Sequence, residues 1–80
     1  FILKPSERDP SVPLMLAEAA AVHVAVYDLL GRQVALLHDG VLVAGSNALA
    51  FETTGLPAGV YVVRASVGDV TETRRVTVAR

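Results

Sequence analysis

The sequence lacks cysteine and has few aromatic residues, and each shortage excludes a class of small protein. Its 80 residues contain no Cys, which excludes a disulfide framework, a thiolate zinc site and a cysteine nucleophile. Aromatic residues make up only 5% of the chain. Because sugar-binding platforms depend on exposed rings, this low aromatic content argues against a carbohydrate-binding function.

The sequence also lacks an excess of one charge and a long hydrophobic run. The formal net charge is -1 and the pI is about 6.1, which argues against nucleic acid or an anionic membrane surface as the main partner. The uncharged stretch from Val41 to Phe51 is too short and too interrupted by Gly45, Ser46 and Asn47 to be a transmembrane segment. The length fits one domain.

Proline and strand patterns divide the chain into two parts. Residues 1–13 predict a linker with at most a short edge strand at Phe1 to Leu3, because they hold three of the four prolines. Residues 14–80 predict one sandwich domain, whose first strand already starts to alternate at Val12. The predicted strands are residues 12–16, 22–27, 33–38, 41–43, 47–53, 60–67 and 70–79.

Turn residues separate these strands. The turns are predicted at Asp28 and Gly31, at Asp39 and Gly40 (a hairpin signal), and at Gly68 and Asp69. About seven short strands with turns between them indicate an all-β, immunoglobulin- or fibronectin-III-like antiparallel sandwich. The predicted core is Leu14, Leu16, Val22, Val24, Val26, Val34, Leu36, Leu49, Phe51, Leu56, Tyr61, Val63, Val76 and Val78.

A proline-containing corner precedes one strand. Leu56, Pro57 and Gly59 lead into Tyr61, and in immunoglobulin-like sandwiches a tyrosine at this place bonds its hydroxyl back to the upstream backbone. If Tyr61 points inward, Val60 and Val62 form an apolar outer face. The N-terminal strand, a parent domain or a partner are three candidates to cover it.

The sequence contains no pattern that indicates a catalytic residue, a metal ligand set or a cofactor site. His23 and His38 are in different predicted strands, and neither has a second ligand at metal-binding spacing. No serine is in a nucleophile elbow, and the glycines form no phosphate loop. We therefore expect a protein that is not an enzyme and needs no cofactor.

The arginines near the C-terminus have two interpretations. Arg74 and Arg75 are adjacent, so they are expected on opposite faces of the last strand, with Arg64 and Arg80 close by. One interpretation is charge that discourages edge-to-edge pairing; the other is a docking surface.

Four pieces of the chain, in order, resemble the type IX secretion system C-terminal sorting domain, of type A. They are Val22 to Val34, which carries a "D..G" turn and a basic residue; Gly40 with Val43 to Gly45; Leu56 to Arg64, which carries "L-x-x-G-x-Y"; and Arg74 to Arg80. The pattern is related to that of the immunoglobulin-like domain of the flagellar hook-capping protein. Fibronectin type III accessory modules share the proline-tyrosine corner.

The resemblance implies a non-catalytic module that directs a secreted parent protein across the outer membrane to the cell surface. Its partners would be the outer-membrane secretion machinery and the parent protein. The recognition elements it implies are Gly59, Arg74, Arg75, Val76, Val78 and Arg80. Two alternatives remain open: an extracellular filament subunit that self-associates by strand addition at its edges, and a spacer or carbohydrate-binding module of a secreted hydrolase.

Overall fold

The computed structural model describes residues 1–3, 11–51 and 55–78, which form two antiparallel sheets. The strands are β1 (Ile2–Leu3), β2 (Ser11–Leu16), β3 (Ala20–Tyr27), β4 (Gln33–Leu42), β5 (Gly45–Ala50), β6 (Gly59–Val67) and β7 (Val70–Val78). A three-stranded sheet has the order β1-β2-β5, and a four-stranded sheet has the order β4-β3-β6-β7. The prediction of a small all-β sandwich is confirmed.

The core lies between the two sheets because alternate residues of each strand point to the same face. In β3 the residues buried in this core are Val22, Val24 and Val26, and Ala25 is buried on the other face. The partners of the three valines in β6 are Val67, Ala65 and Val63. The three-stranded sheet contributes buried Leu3, Val12, Leu14, Leu16 and Leu49 to the same cluster.

Leu36 was predicted in the core, but this prediction is wrong, since the residue is 51% exposed. The pairing of β3 with β4 moves from Val24–His38 to Ala25–Leu36, and later from Val26–Ala35 to Tyr27–Gln33. Each shift leaves one unpaired residue in β4, which reverses the faces of the residues that follow. Val34 and Leu56 are half-buried, and the other predicted core residues are buried.

Asp39 and Gly40 do not form the predicted hairpin turn; both lie inside β4. The two short strands predicted on either side of them are one strand, because β4 continues along β3 until Leu42 pairs with Ala20. Gly40 has a φ of 148°, outside the range that other residues favour, so glycine here permits an irregular strand rather than a chain reversal.

The N-terminal strand pairs within the chain. Ile2 lies opposite Met15 and Leu3 opposite Leu14, so β1 extends the three-stranded sheet, and among the described residues no strand covers the outer face of the four-stranded sheet. β2 begins at Ser11, inside the segment assigned to the linker, and Val12 is buried. The division of the chain at residue 13 stays a prediction.

Candidate functional site

The corner before β6 holds Tyr61 in place. Gly59 begins β6, and the Tyr61 side chain is buried two residues later. The Tyr61 hydroxyl donates a hydrogen bond to the carbonyl oxygen of Pro57 at 2.5 Å. This bond joins both ends of the corner, while Leu56 packs partly buried against the core. The corner is therefore fixed by one polar and one apolar contact.

A turn between β3 and β4 is organised by the carboxylate of Asp28. One carboxylate oxygen accepts hydrogen bonds from the amides of Leu30 and Arg32, each at 2.9 Å. The other accepts one from Nε of Arg32 at 2.8 Å. The backbone closes the turn with a 3.1 Å bond from the Gly31 amide to the Asp28 carbonyl oxygen.

These bonds stabilise the charged form of Asp28. The hydrogen bond from the Arg32 amide is the largest cause that lowers the pKa of the Asp28 carboxyl from 3.8, and the Arg32 side chain and the Leu30 amide act in the same direction. With its carboxylate engaged in this way, Asp28 fixes a turn that presents two leucines to solvent. Leu29 is 70% exposed and Leu30 is 80% exposed.

The Asp28 turn and the corner are neighbours, although about 30 residues separate them in the chain. A hollow of about 390 Å³ is lined by both segments, with Leu29 and Arg32 on one side and Pro57 and Gly59 on the other. Val78 pairs with Gly59, so the end of β7 lies here too. We call this end of the sandwich, formed by residues 28–32, 56–61 and 76–78, the motif end.

Of the six residues implied as recognition elements, Gly59 begins β6 at the corner, and the other five fall into three groups. Arg74 and Arg75 are exposed, and their partners Val63 and Val62 place them on opposite faces of the sheet, as expected from their adjacency. Val76 and Val78 are 4% and 5% exposed, so in the folded domain they hold β7 in the core. Arg80 lies outside the described residues.

The predicted turn at Gly68 and Asp69 joins β6 to β7 at the end of the sandwich away from the corner. His23 and Asp39 also lie toward that end, with Nδ1 of His23 3.6 Å from a carboxylate oxygen of Asp39. Among the described residues no group of three or more His, Asp or Glu is arranged to hold a metal ion. No helix of the described chain is long and apolar enough to cross a membrane.

Sequence reasoning missed the exposure of Leu29 and Leu30 and the proximity of their turn to the corner. Two consecutive leucines between Asp28 and Gly31 were the available signal, because the middle positions of a tight turn rarely reach the core. The proximity has no local signal, since it depends on how β3 pairs with β6.

Comparison with known families gives one match that spans most of the chain. The family model of the secretion system C-terminal sorting domain matches residues 9–79. The chain belongs to this family, that of type IX secretion sorting domains. A search of curated proteins gave no match.

Membership of this family defines the general role. A type IX sorting domain is a C-terminal signal for the secretion of a parent protein to the cell surface or outside the cell, so it interacts with the secretion machinery. Sorting domains of this family are in general non-catalytic. The match includes both the Asp28 turn and the corner, which face each other in the hollow of the motif end.

Proposed function

We propose that the motif end of this sorting domain is the surface that the outer-membrane machinery recognises. The main observation in support is that the Asp28 turn and the corner line the same hollow. Leu29 and Leu30 of the Asp28 turn are exposed and do not fill the core. A fixed turn that exposes two large apolar side chains is suited to contact with a partner.

The rigidity of both segments supports this proposal. The Asp28 carboxylate accepts three hydrogen bonds within its turn, and the Tyr61 hydroxyl closes the corner. A preorganised surface loses little conformational entropy when a partner binds. The machinery would then recognise the folded domain rather than an extended peptide.

The last strand contributes in two ways under this proposal. Buried Val76 and Val78 hold its end beside Gly59, while exposed Arg75 faces outward next to Val62. The recognition elements implied by resemblance thus divide into residues that position β7 and residues that are free to touch a partner.

Self-assembly by strand addition at β7 is disfavoured by a pair of charges. β7 is an edge strand. Arg74 and Glu72 lie opposite Val63 and Ala65, on the face of β7 that points inward. Their side chains are 2.6 Å apart. Inward-pointing charges on an edge strand oppose the docking of a further strand.

A secretion assay tests the sorting role. The chain is fused behind a signal peptide and a fluorescent reporter in a host with a type IX system, and the reporter outside the outer membrane is counted. We expect export in the parent strain and periplasmic retention in a strain without the translocon. Retention of a folded fusion in both strains would contradict the sorting role.

The structure changes how the C-terminal strand should be tested. Removing residues 74–80 would also remove buried Val76 and Val78, so loss of export could follow from unfolding. Point variants of exposed residues avoid this problem. Thermal unfolding of every purified fusion shows whether the domain stays folded.

A further inference from the structure

Resting on the proposed function, we infer that the outer face of the four-stranded sheet binds an apolar protein segment that carries carboxylates, supplied by the secretion machinery. We call this surface the arginine-flanked face and define it by Tyr27, Leu29, Val62, Arg64 and Arg75. It borders the motif end through Leu29, so one partner can contact both.

The register of the strands brings the arginine-flanked face together. Tyr27 of β3 lies opposite Val62 of β6, and Val62 lies opposite Arg75 of β7. Arg64 lies opposite Thr73, which makes it the diagonal neighbour of Arg75 on the same face. Diagonal positions of this kind are about 7–8 Å apart, so one short segment can reach both guanidinium groups.

The centre of the face is apolar and concave. Two hollows of about 500 and 340 Å³ are both lined by Leu29 and Val62. Arg75 lines the first hollow, and Arg64 and Tyr27 line the second. Apolar hollows with cations at their margins suit a segment that inserts apolar side chains and places anionic groups beside them.

Within the part of the chain that the structure describes, Arg64 and Arg75 differ from the other arginines in their pairing. Among the described residues, Arg32 is paired with Asp28 and Arg74 with Glu72, whereas neither Arg64 nor Arg75 makes a hydrogen bond or ion pair.

Asp28 also lines the second hollow, but its carboxylate is already bonded to Arg32 and to the Leu30 amide. No carboxylate of the described chain forms an ion pair with Arg64 or Arg75. On the face itself, Asp39 lies two paired positions beyond Ala25 toward the far end of β3, beside His23. An unpaired guanidinium on a partly apolar surface favours a carboxylate from outside, often through two parallel hydrogen bonds.

Site-specific photo-cross-linking tests this inference. A photoreactive residue replaces Leu29 in the secreted fusion, and a control fusion carries it at Met15, which is 48% exposed on the opposite sheet. We expect Leu29 to form an adduct with a protein of the machinery only in the strain that has the translocon. The Met15 position should not form it.

Charge variants test the role of the arginines. R64Q/R75Q removes two positive charges from the face. V41E/V70E changes the net charge by the same amount at exposed residues away from it. We expect R64Q/R75Q to reduce the Leu29 adduct and export by about tenfold or more, because the loss of each charged hydrogen bond is worth at least about that factor. V41E/V70E should stay near wild type. R64K/R75K should fall between the two, because lysine keeps the charge but cannot form two parallel hydrogen bonds to one carboxylate.

Three outcomes would overturn the inference: an adduct with a second copy of the chain, an adduct with lipopolysaccharide, or wild-type export by R64Q/R75Q. The proposed function fails separately. If the unmodified fusion is not exported in a translocon-dependent way, the sorting role is wrong. If it is exported and the charge variants behave like wild type, only the arginine-flanked face is wrong.

Discussion

Tyr61 is bonded to Pro57, four residues earlier in the chain, through its phenolic hydroxyl. This bond fixes the start of β6 at the place where the Asp28 turn approaches the corner. The two sequence motifs of the domain thereby form one surface. The same bond supports the fold, because the tyrosine ring is buried in the core.

Replacing Tyr61 with Phe should lower the free energy of unfolding by about 1 kcal/mol, since the Pro57 carbonyl loses its part-buried donor while the ring still fills the core. Urea unfolding of the purified domain measures this. Tyr27→Phe is the matched control, because the Tyr27 hydroxyl has no hydrogen bond within the described chain. Equal stability of the two variants would contradict the role assigned to the Tyr61 bond.

Asp28 should make stability depend on pH in the acid range. Its folded-state pKa is lowered from 3.8, so the unfolded chain binds protons more readily and the stabilisation is fully present above that value. As the pH falls below 3.8, this stabilisation is lost progressively down to the folded-state pKa.

Asp28→Asn removes the titrating group, so its stability should approach that of wild type as the pH falls through this window. Urea midpoints at neutral pH and at several acidic pH values measure the difference. Glu18→Gln is the control, because Glu18 is exposed and makes no hydrogen bond within the described chain. A difference between wild type and Asp28→Asn that does not change with pH would contradict the prediction.

The unpaired residues of β4 lead us to expect different stability losses for two leucines that the sequence pattern both placed in the core. Leu49 is 7% exposed, so Leu49→Ala should cost about 2–5 kcal/mol. Leu36 is 51% exposed, so Leu36→Ala should change the unfolding free energy by about 0.5 kcal/mol or less. Chemical denaturation measures the free energy of unfolding of both variants. A similar large loss in both would show that Leu36 lies in the core.

Gly31 has a φ of 85°, in the left-handed region, with no atom within 4 Å of where a Cβ would lie. Gly31→Ala should therefore cost about 1 kcal/mol through backbone strain rather than a clash. Asn adopts this conformation more readily than Ala, so Gly31→Asn should be the milder change. Thermal unfolding of both variants shows which one is less stable. If the cost were steric, the larger Asn would destabilise the domain more than Ala.

Regular alternation made most of the fold predictable. Valines recur at every second position of β3, although Ala25 between them is also buried, and β6 alternates regularly; the buried valines and Tyr61 were identified from that pattern. The errors come from irregular places. The unpaired residues of β4 turn Leu36 outward. Asp39 and Gly40 have the local sequence of a hairpin turn, but the chain continues there as a strand because it pairs with β3.

The candidate site was predictable only in pieces. The corner and the Asp28 turn each have a local signature of turn residues. The diagonal placement of Arg64 and Arg75 depends on the register of the hairpin formed by β6 and β7. The common hollow of the corner and the Asp28 turn depends on pairing between β3 and β6, which are far apart in the chain. Such long-range relationships are set by sheet register, which the sequence of one strand does not specify alone.

Recognition through the motif end is tested most directly by comparing the export of two fusions, each changed at a different end of the sandwich. Leu30→Ser alters the motif end at a residue that is 80% exposed, and Val41→Ser alters the far end at one that is 72% exposed. Both should fold as wild type does. If the machinery recognises the motif end, Leu30→Ser reduces translocon-dependent export while Val41→Ser does not. Wild-type export by Leu30→Ser, or an equal loss in both, would contradict recognition through the motif end.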